Sequence, residues 1–234
     1  MTKISVIIPI LNEAKTINRL IKHLNEASSE ENIKEIIIVD GGSTDESLNI
    51  ISTFKNLTLI SSDKGRAKQM NVGANHASGN ILYFLHADSF PPKDFDTSIV
   101  NEVINGHLAG CFKMKFDSSH WWLKLMGWFT KFPWRICRGG DQSLFITKSL
   151  FDSLKGFDEQ YLIYEDNVFI KKLFNIKQFT VIQKHLTTSA RLYKKHGIWK
   201  LQYHYLIIHL KHWLGASSKD LFAYYIQNVC TNKS

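Results

Sequence analysis

The sequence is poor in cysteine and has no long apolar run, and each absence excludes a class of protein. Its three cysteines, Cys111, Cys137 and Cys230, lie far apart and form no C-x-x-C pair. They indicate neither a disulfide framework nor a zinc site, and they fit a reducing cytoplasm. No apolar run approaches the ~18 residues of a membrane span. The chain opens directly into a strand-like segment, so we expect no secretory signal peptide.

The last part of the chain is almost without acidic residues. From Lys184 to Ser234 it has eight Lys and Arg side chains against one acid, Asp220. Residues 1–183 carry 21 basic and 20 acidic side chains, so most of the net charge of +8 lies in this last part. A basic stretch interleaved with Trp and Tyr either faces an anionic partner or is a solvated helix with buried aromatic side chains. A diphosphate, a phospholipid surface and nucleic acid are the candidate partners.

No G-x-G-x-x-G follows the first strand, which excludes a dinucleotide-binding dehydrogenase. The first 89 residues instead alternate apolar strands with helices, the pattern of a parallel sheet. The run Ser43-Thr44-Asp45-Glu46 predicts a capping box at the start of the second helix. We predict strands at 4–10, 35–39, 57–61, 81–85 and 108–116, and helices over about 13–27, 64–80, 93–105, 149–158 and 198–214.

Polar side chains follow three of the predicted strands at the point where each strand ends. Asn12 and Glu13 follow the first strand, Asp40 ends the second, and His86 and Asp88 follow the strand at 81–85. Because the carboxyl ends of parallel strands meet at one edge of a sheet, we expect these groups to lie together at a ligand site. The alternative is that they are ordinary turn residues, and Asn12 is equally suited to cap a helix.

The second half of the chain contains a tryptophan-rich segment and two polar motifs. Four of the six tryptophans fall within residues 121–134, which indicates a partly exposed apolar face for an acceptor or a membrane; core packing is the alternative. The motifs are G139-G-D-Q-S-L-F-I146 and G156-F-D-E-Q-Y-L-I-Y-E-D-N-V168. The second motif ends in Glu165 and Asp166 at a predicted helix start, where the helix dipole by itself would favour acids.

The ordered set of motifs over residues 4–214 resembles the inverting, family-two glycosyltransferases with the GT-A fold. The resemblance implies an α/β fold with a Rossmann-like, mostly parallel sheet and helices on both faces. The block G-R-A-K-Q-M-N-x-G-A is similar to a small subgroup associated with arsenosugar biosynthesis. We therefore expect one domain over 1–214, with a nucleotide-sugar half at about 1–90, an acceptor half at 91–183 and a basic closing segment at 184–214, followed by a C-terminal helix at 215–234.

The same resemblance implies a role for individual residues. Asp88 stands where the family's D-x-D motif has its second acid, and His86 replaces the first acid. Asp166 corresponds to the general base, and Glu165 would position the acceptor or raise the pKa of that base. The implied ligands of Mn²⁺ or Mg²⁺ are Asp88, His86 and His196; the nucleotide contacts are Pro9, Asn12, Glu13, Asp40, Arg66 and Asn71; the acceptor contacts are Trp134, Gly140, Asp141 and Gln142; and the diphosphate contacts are Arg191 and Lys194.

The function implied is inverting transfer of a sugar from a UDP- or GDP-sugar to a hydroxyl of an unknown acceptor, with no nucleic-acid partner. A cytoplasmic location is expected, with peripheral contact at the inner face of the membrane as a further hypothesis. One alternative is a nucleotidyltransferase, but that enzyme requires a Gly- and Lys-rich phosphate loop near the first strand, and P9-I-L-N-E13 is not such a loop. The other is a nucleotide-sugar-binding protein that has lost catalysis, which the replacement by His86 favours.

Overall fold

A computed structural model describes residues 2–230 and, for Gly140, only the course of the backbone. The strands of this part of the chain are β1 (Ile4–Ile10), β2 (Ile33–Asp40), β3 (Thr58–Ser61), β4 (Ile81–Phe84), β5 (Ser89–Phe90), β6 (Ala109–Phe116), β7 (Leu144–Thr147) and β8 (Thr180–Thr188). The helices are α1 (Ile17–Ala27), α2 (Ser47–Ile51), α3 (Arg66–His76), α4 (Phe95–Ile104), α5 (Trp121–Phe129), α6 (Lys148–Ser153), α7 (Glu165–Asn175), α8 (Arg191–His196), α9 (Ile198–Trp213) and α10 (Ser218–Tyr225).

The strands within residues 2–230 form one eight-stranded sheet of order β3-β2-β1-β4-β7-β6-β8-β5. The pairs of β1 with β2, β1 with β4 and β2 with β3 are parallel, as the alternating sequence predicts. Strand β7 is antiparallel to both β4 and β6, so the second half of the sheet is mixed. The carboxyl ends of β1, β2 and β4 therefore lie side by side at one edge.

Alternation along the strands divides the core into two layers. Val6 and Ile8 of β1 pack on one face of the sheet with α1 and α4, and Ile7 packs on the other face with α3, α6 and α7. Helix α3 approaches β1 closely at Gly73, where an added Cβ would lie 2.5 Å from Cγ2 of Ile7. The missing side chain at Gly73 therefore lets α3 pack directly against β1.

The predicted capping box is wrong. Helix α2 begins at Ser47, with Glu46 as its N-cap residue and no side-chain hydrogen bond at the cap. The hydroxyl of Ser43 accepts a hydrogen bond from the backbone N–H of Asn12 at 2.9 Å, so it is used to tie two loops together. Asn12 does not cap α1 either: its φ is +57°, and its Oδ1 accepts from the backbone N–H of Thr44.

The C-terminal region continues past α9 with α10 and a π-helical turn, Ile226–Cys230. The predicted C-terminal helix at 215–234 therefore agrees in part, and residues 231–234 lie outside the described residues. Cys111, Cys137 and Cys230 are all free thiols. Across residues 2–230, no helix has both the length and the apolar character needed to cross a bilayer.

Candidate active site

Acidic and basic side chains meet at the carboxyl edge of the parallel strands. Glu13, after β1, binds the guanidinium of Arg191 through two hydrogen bonds of 2.8 and 2.6 Å. The Nε of the same arginine lies 3.2 Å from Oδ2 of Asp88, after β4. Asp40, at the end of β2, is buried and accepts hydrogen bonds from the N–H groups of Gly42 and Ser43. The predicted gathering of strand-end acids is confirmed, and Arg191 neutralises two of them.

Buried polar contacts fix the strand ends in place. The side-chain amide of Gln69, on α3, donates to the carbonyl of Ile10 at 2.7 Å and to that of Val39 at 2.8 Å. One side chain thus links the ends of β1 and β2, where the carbonyl of Ile10 also accepts a hydrogen bond from the N–H of Gly41 at 3.0 Å. Gln69 was missed in the sequence analysis, because within that block roles were assigned only to Arg66 and Asn71.

His86 and Asp88 have shifted pKa values because the strand ends are buried. Burial, together with the positive charges of Arg66 and Arg191, holds the pKa of His86 well below its usual value, so the imidazole is neutral at neutral pH. Burial raises the pKa of Asp88 to about 6, although Arg191 opposes the rise. Nδ1 of His86 lies 3.6 Å from Oδ1 of Asp141, which connects the strand ends to the acceptor half.

The described residues at this edge have the chemistry to bind a divalent ion. Asp88 and Glu13 converge on a single guanidinium cation, and the neutral imidazole of His86 lies beside them. No group of three or more His, Cys, Asp or Glu side chains has metal-binding geometry within residues 2–230. A metal that also binds substrate phosphates needs only one or two protein carboxylates, so Asp88, with Glu13 or His86, would suffice.

A second acidic group is buried at the start of α7. Glu165 lies 3.3 Å and Asp166 3.7 Å from Nη1 of Arg66, and both acids are almost fully buried. Neither carboxylate oxygen of Glu165 has a hydrogen-bond partner in the described chain. Burial raises the pKa of Glu165, and burial followed by the charge of Glu165 raises that of Asp166 to about 8. Asp141 raises the pKa of Asp166 further, so these acids act on one another.

A cavity of about 520 Å³ lies between α5, in the predicted acceptor half, and α9, in the predicted closing segment. Asp141 lines this cavity and is exposed, and its role as an acceptor contact stays a prediction. Gln142 also lines it, but its amide binds Arg138 and the carbonyl of Cys137, so it supports the loop rather than offering itself to a ligand. A smaller cavity of about 110 Å³ lies between α1 and residues 54–57, away from the strand ends.

Arg138 is a second residue that sequence reasoning missed. It is buried, and its five N–H groups donate to the carbonyls of Thr130, Phe132 and Trp134, to Oε1 of Gln142 and to Sγ of Cys111. A guanidinium has five N–H donors, so its hydrogen-bonding capacity is filled by the protein. Arg138 therefore holds the loop that forms one wall of the cavity. An arginine beside two glycines was the only sequence signal.

Three predicted site residues have partners outside the strand-end site, and a fourth, His196, does not reach it. The amide of Asn71 binds the backbone of Phe157 and the carboxylate of Glu159. Lys194 lies 3.8 Å from Asp117. Trp134 is half exposed and stacks on Phe132 with 4.6 Å between the ring centroids. In the described chain, His196 makes no hydrogen bond or ion pair with Asp88 or His86. Of these four residues, the structure brings none into the cluster of strand-end acids.

Pro9, Arg66 and Gly140 are three further predicted site residues. Pro9 lies within β1, opposite Val39 of β2, two residues before the loop that carries Glu13. The side chain of Arg66 is not free at the surface, because it pairs with the acids of α7. Gly140 belongs to a short 3₁₀ turn, Gly140–Gln142, but its surroundings lie outside what the structure describes.

The sequence model of the family described as "Glycosyl transferase family 2" matches residues 5–161, more than half of the chain. The chain belongs to glycosyl transferase family 2. An uncharacterized glycosyltransferase of Haemophilus influenzae is 34% identical over 116 residues, covering 47% of this chain and 45% of that protein. A PGL/p-HBAD biosynthesis glycosyltransferase of Mycobacterium bovis is 27% identical over 197 residues, covering 80% of this chain and 75% of that protein. The chain spans less than half the length of the first curated relatives that it matches.

Solved structures confirm the predicted fold class for this family-two chain. The structure of Staphylococcus aureus TarS residues 1–349 with UDP superimposes with a TM-score of 0.68 and 21% identity, covering 80% of this chain and 60% of that one. A complex of the same protein with UDP-GlcNAc gives a TM-score of 0.62, covering 80% and 58%. The fold is therefore of the GT-A type. The likeness to the arsenosugar subgroup stays a prediction.

Proposed function

We propose that this family-two chain transfers a sugar from a nucleotide-diphosphate sugar to a hydroxyl group with inversion at the anomeric carbon. The observation that carries the proposal is the buried pair Glu165 and Asp166, held by Arg66 close enough to Asp141 for their charges to interact. A carboxylate whose pKa is raised toward neutrality is suited to general-base catalysis. The TarS complexes with UDP and UDP-GlcNAc lend the donor class support from a protein of the same fold.

In the proposed reaction, Asp166 accepts the proton of the acceptor hydroxyl as its oxygen bonds to the anomeric carbon. The bond from that carbon to the diphosphate oxygen breaks on the opposite side, and the diphosphate leaves with the electron pair. Burial raises the pKa of Asp166, and the nearby charge of Glu165 raises it further. Arg66 limits that rise and holds both acids in position.

Arg191 is the proposed diphosphate contact. Its guanidinium binds Glu13 through two hydrogen bonds and Asp88 through one contact of its Nε, and a phosphate could replace Glu13 with the same bidentate geometry. Mn²⁺ or Mg²⁺ bound at Asp88 would supply positive charge for the departing diphosphate. Asp40 remains the proposed contact to the base of the nucleotide.

A nucleotide-sugar-binding protein without catalysis is the second candidate, because His86 stands where the family has an acid. One experiment tests both candidates: the protein is incubated with UDP- and GDP-sugars plus Mn²⁺, and the melting temperature and nucleotide release are measured. We expect the sugars of one nucleotide class, UDP or GDP, to raise the melting temperature, as a specific ligand must. The protein should also release the nucleoside diphosphate from that sugar, slowly when water is the acceptor and faster when a suitable acceptor is present. Stabilisation without release would favour the binding protein, and no stabilisation by any nucleotide would refute the nucleotide-sugar site.

We also propose that the aromatic second half rests peripherally on an anionic lipid surface. Trp121, Trp128 and Trp134 are each at least half exposed, and Nζ of Lys131 lies 3.7 Å from the centre of the Trp128 ring. Exposed Trp beside Lys is the composition of interfacial membrane contacts. The cytoplasmic location suggested by the cysteine pattern is part of the same proposal.

A further inference from the structure

The cavity between α5 and α9 differs from the strand-end site in its chemistry. Its walls are mainly apolar and aromatic, and its volume of about 520 Å³ is in the range of small-molecule sites. One wall comes from β6 and α5, and the opposite wall comes from α8 and α9. The apolar and aromatic side chains that define it include Phe116, Trp122, Met126, Phe129, Tyr205 and Leu206.

The charged groups of the cavity are unevenly distributed. Arg138 has all five N–H groups bound within the protein, so it has none to offer a phosphate or a sugar hydroxyl. His209 accepts a hydrogen bond from, or donates one to, the hydroxyl of Tyr164 at 2.6 Å. Asp141 is the charged lining group that stays exposed, and it lies beside His86 at the strand ends. A ligand in the cavity would therefore make its polar contact with Asp141, near the strand ends, and apolar contacts with the remaining walls.

The cavity also continues onto an apolar surface. Leu206 and Ile136 line it, yet they are 65% and 88% exposed. Polar acceptors such as free sugars would leave these side chains in water, whereas an apolar chain would cover them. An elongated apolar ligand could therefore enter from this surface and reach Asp141.

From this arrangement we infer that the acceptor is an amphiphilic alcohol, with its apolar body in the cavity between α5 and α9 and its hydroxyl directed toward Asp141. The inference rests on the proposed glycosyl transfer and names the class of its acceptor. It excludes small, wholly polar acceptors as the preferred substrates. The apolar body supplies the binding free energy, and the single polar end sets the position of the hydroxyl.

The test uses alkyl β-D-glucosides as probes, with methyl, hexyl, octyl and decyl chains, each below its critical micelle concentration. Calorimetry on the full chain should show saturable binding of one probe per protein, tightening about four-fold per added methylene, which corresponds to about 0.8 kcal/mol, until the cavity is filled. Methyl glucoside should bind far more weakly than decyl glucoside. Equal affinity of the methyl and decyl compounds would overturn the inference.

Matched variants separate the cavity from general adsorption to the surface. Leu206→Asp and Ile136→Asp change exposed lining residues and should weaken decyl glucoside binding at least ten-fold. Leu210→Asp and Leu214→Asp change exposed apolar residues that do not line the cavity, and they should leave binding unchanged. Equal losses in both pairs would show surface adsorption and overturn the inference.

UDP and GDP titrations on the same proteins distinguish this inference from the proposed function. If the nucleotide binds but the affinity for the glucosides does not depend on their chain length, only the acceptor class is refuted. If the glucosides bind as expected but neither nucleotide binds, the donor site is refuted.

Discussion

Asp166 must be ionised to act as a base, yet burial and Glu165 favour its protonated form. We predict that Asp166→Asn lowers the rate of transfer by ~10² or more, the usual effect of losing a general base. Nucleotide affinity should stay nearly unchanged, because the acid pair lies on α7 rather than at the strand ends that carry Asp40 and Asp88. Product formation and nucleotide calorimetry measure the two quantities. A rate within a few fold of the original would place the base elsewhere, with Glu165 and Asp141 as the next candidates.

The same substitution should affect stability in a pH-dependent way. The pKa of folded Asp166, about 8, lies above that of an unfolded carboxyl group, so its contribution to stability declines as the pH rises from the ordinary carboxyl range through about 8. Asparagine cannot ionise, so the variant does not lose stability in this way as the pH rises. In urea unfolding, the free energy of unfolding of Asp166→Asn should therefore rise relative to that of the original protein between pH 6 and pH 9. Asp152→Asn, at an exposed position, is the control; a parallel shift in both variants would speak against a buried, titrating Asp166.

Asp88 and His86 define the metal prediction. Diphosphate needs charge compensation, so UDP or GDP should bind weakly without a divalent ion, and Asp88→Ala should remove the metal-dependent part of the affinity. His86→Asp should keep activity and shift the preference toward Mg²⁺, because oxygen ligands suit the harder ion. Calorimetry with EDTA and with Mn²⁺ checks the first statement, and equal affinities would refute the metal site. Activity in Mg²⁺ and Mn²⁺ checks the second, and an unchanged preference would mean that His86 does not touch the metal.

At the level of elements, the packing of helix α3 against β1 and β2 requires a glycine at position 73. An added Cβ at Gly73 would lie 2.5 Å from Cγ2 of Ile7 and 3.1 Å from Cγ2 of Val39, and both neighbours are fully buried. Overpacking typically costs about 1–3 kcal/mol, and the better helix propensity of alanine returns up to about 1 kcal/mol, so we expect Gly73→Ala to destabilise by about 1–2 kcal/mol. Urea unfolding measures this. Asn75→Ala, exposed on the same helix, should be neutral or slightly stabilising; a neutral Gly73→Ala would mean that α3 can move away from β1.

The elements that the sequence predicted well are those whose signal is local. Strands β1 and β4 and helix α9 agree with the predicted spans to within a residue or two, because their apolar runs and periodicity are contained in the segment itself. The cap of α2 failed because Ser43 is bound to the loop after β1, a contact between residues 31 positions apart. Local pattern cannot show which of two partners a hydroxyl will choose.

The candidate site also contains features that could be predicted from the sequence and features that could not. Strand-end acids were predictable because parallel strands place their ends together. The contacts of Gln69 and Arg138 were not, since each links segments that meet only in the folded chain. Lys194 and His196 were grouped with Arg191 by sequence proximity, yet only Arg191 reaches the strand ends. Side-chain direction on the short helix α8 separates these neighbours, and charge composition carries no information about it.

At the scale of the whole molecule, charge and apolar surface coincide in the second half. Trp128 and Trp134 are half exposed, beside Lys131 and the basic segment after Lys184. Each Lys or Arg near an anionic bilayer contributes about 1 kcal/mol, while Trp side chains enter the interface. We therefore predict co-sedimentation with phosphatidylglycerol vesicles at low salt and a steep decline at high salt, where the charges are screened.

Paired substitutions locate this contact on the molecule. Trp128→Ala combined with Trp134→Ala should weaken vesicle binding, because it removes the apolar part of the contact and leaves the charge unchanged. Leu59→Ala changes a comparably exposed apolar side chain on β3, at the opposite end of the sheet from β6 and α5, and should leave vesicle binding as it was. If the original protein stays in the supernatant at low salt, the membrane proposal is wrong. The tryptophans then become candidates for contacting an acceptor that arrives from solution, since Trp128 belongs to the cavity-lining helix α5 and Trp134 stacks on Phe132, which also contacts Trp128.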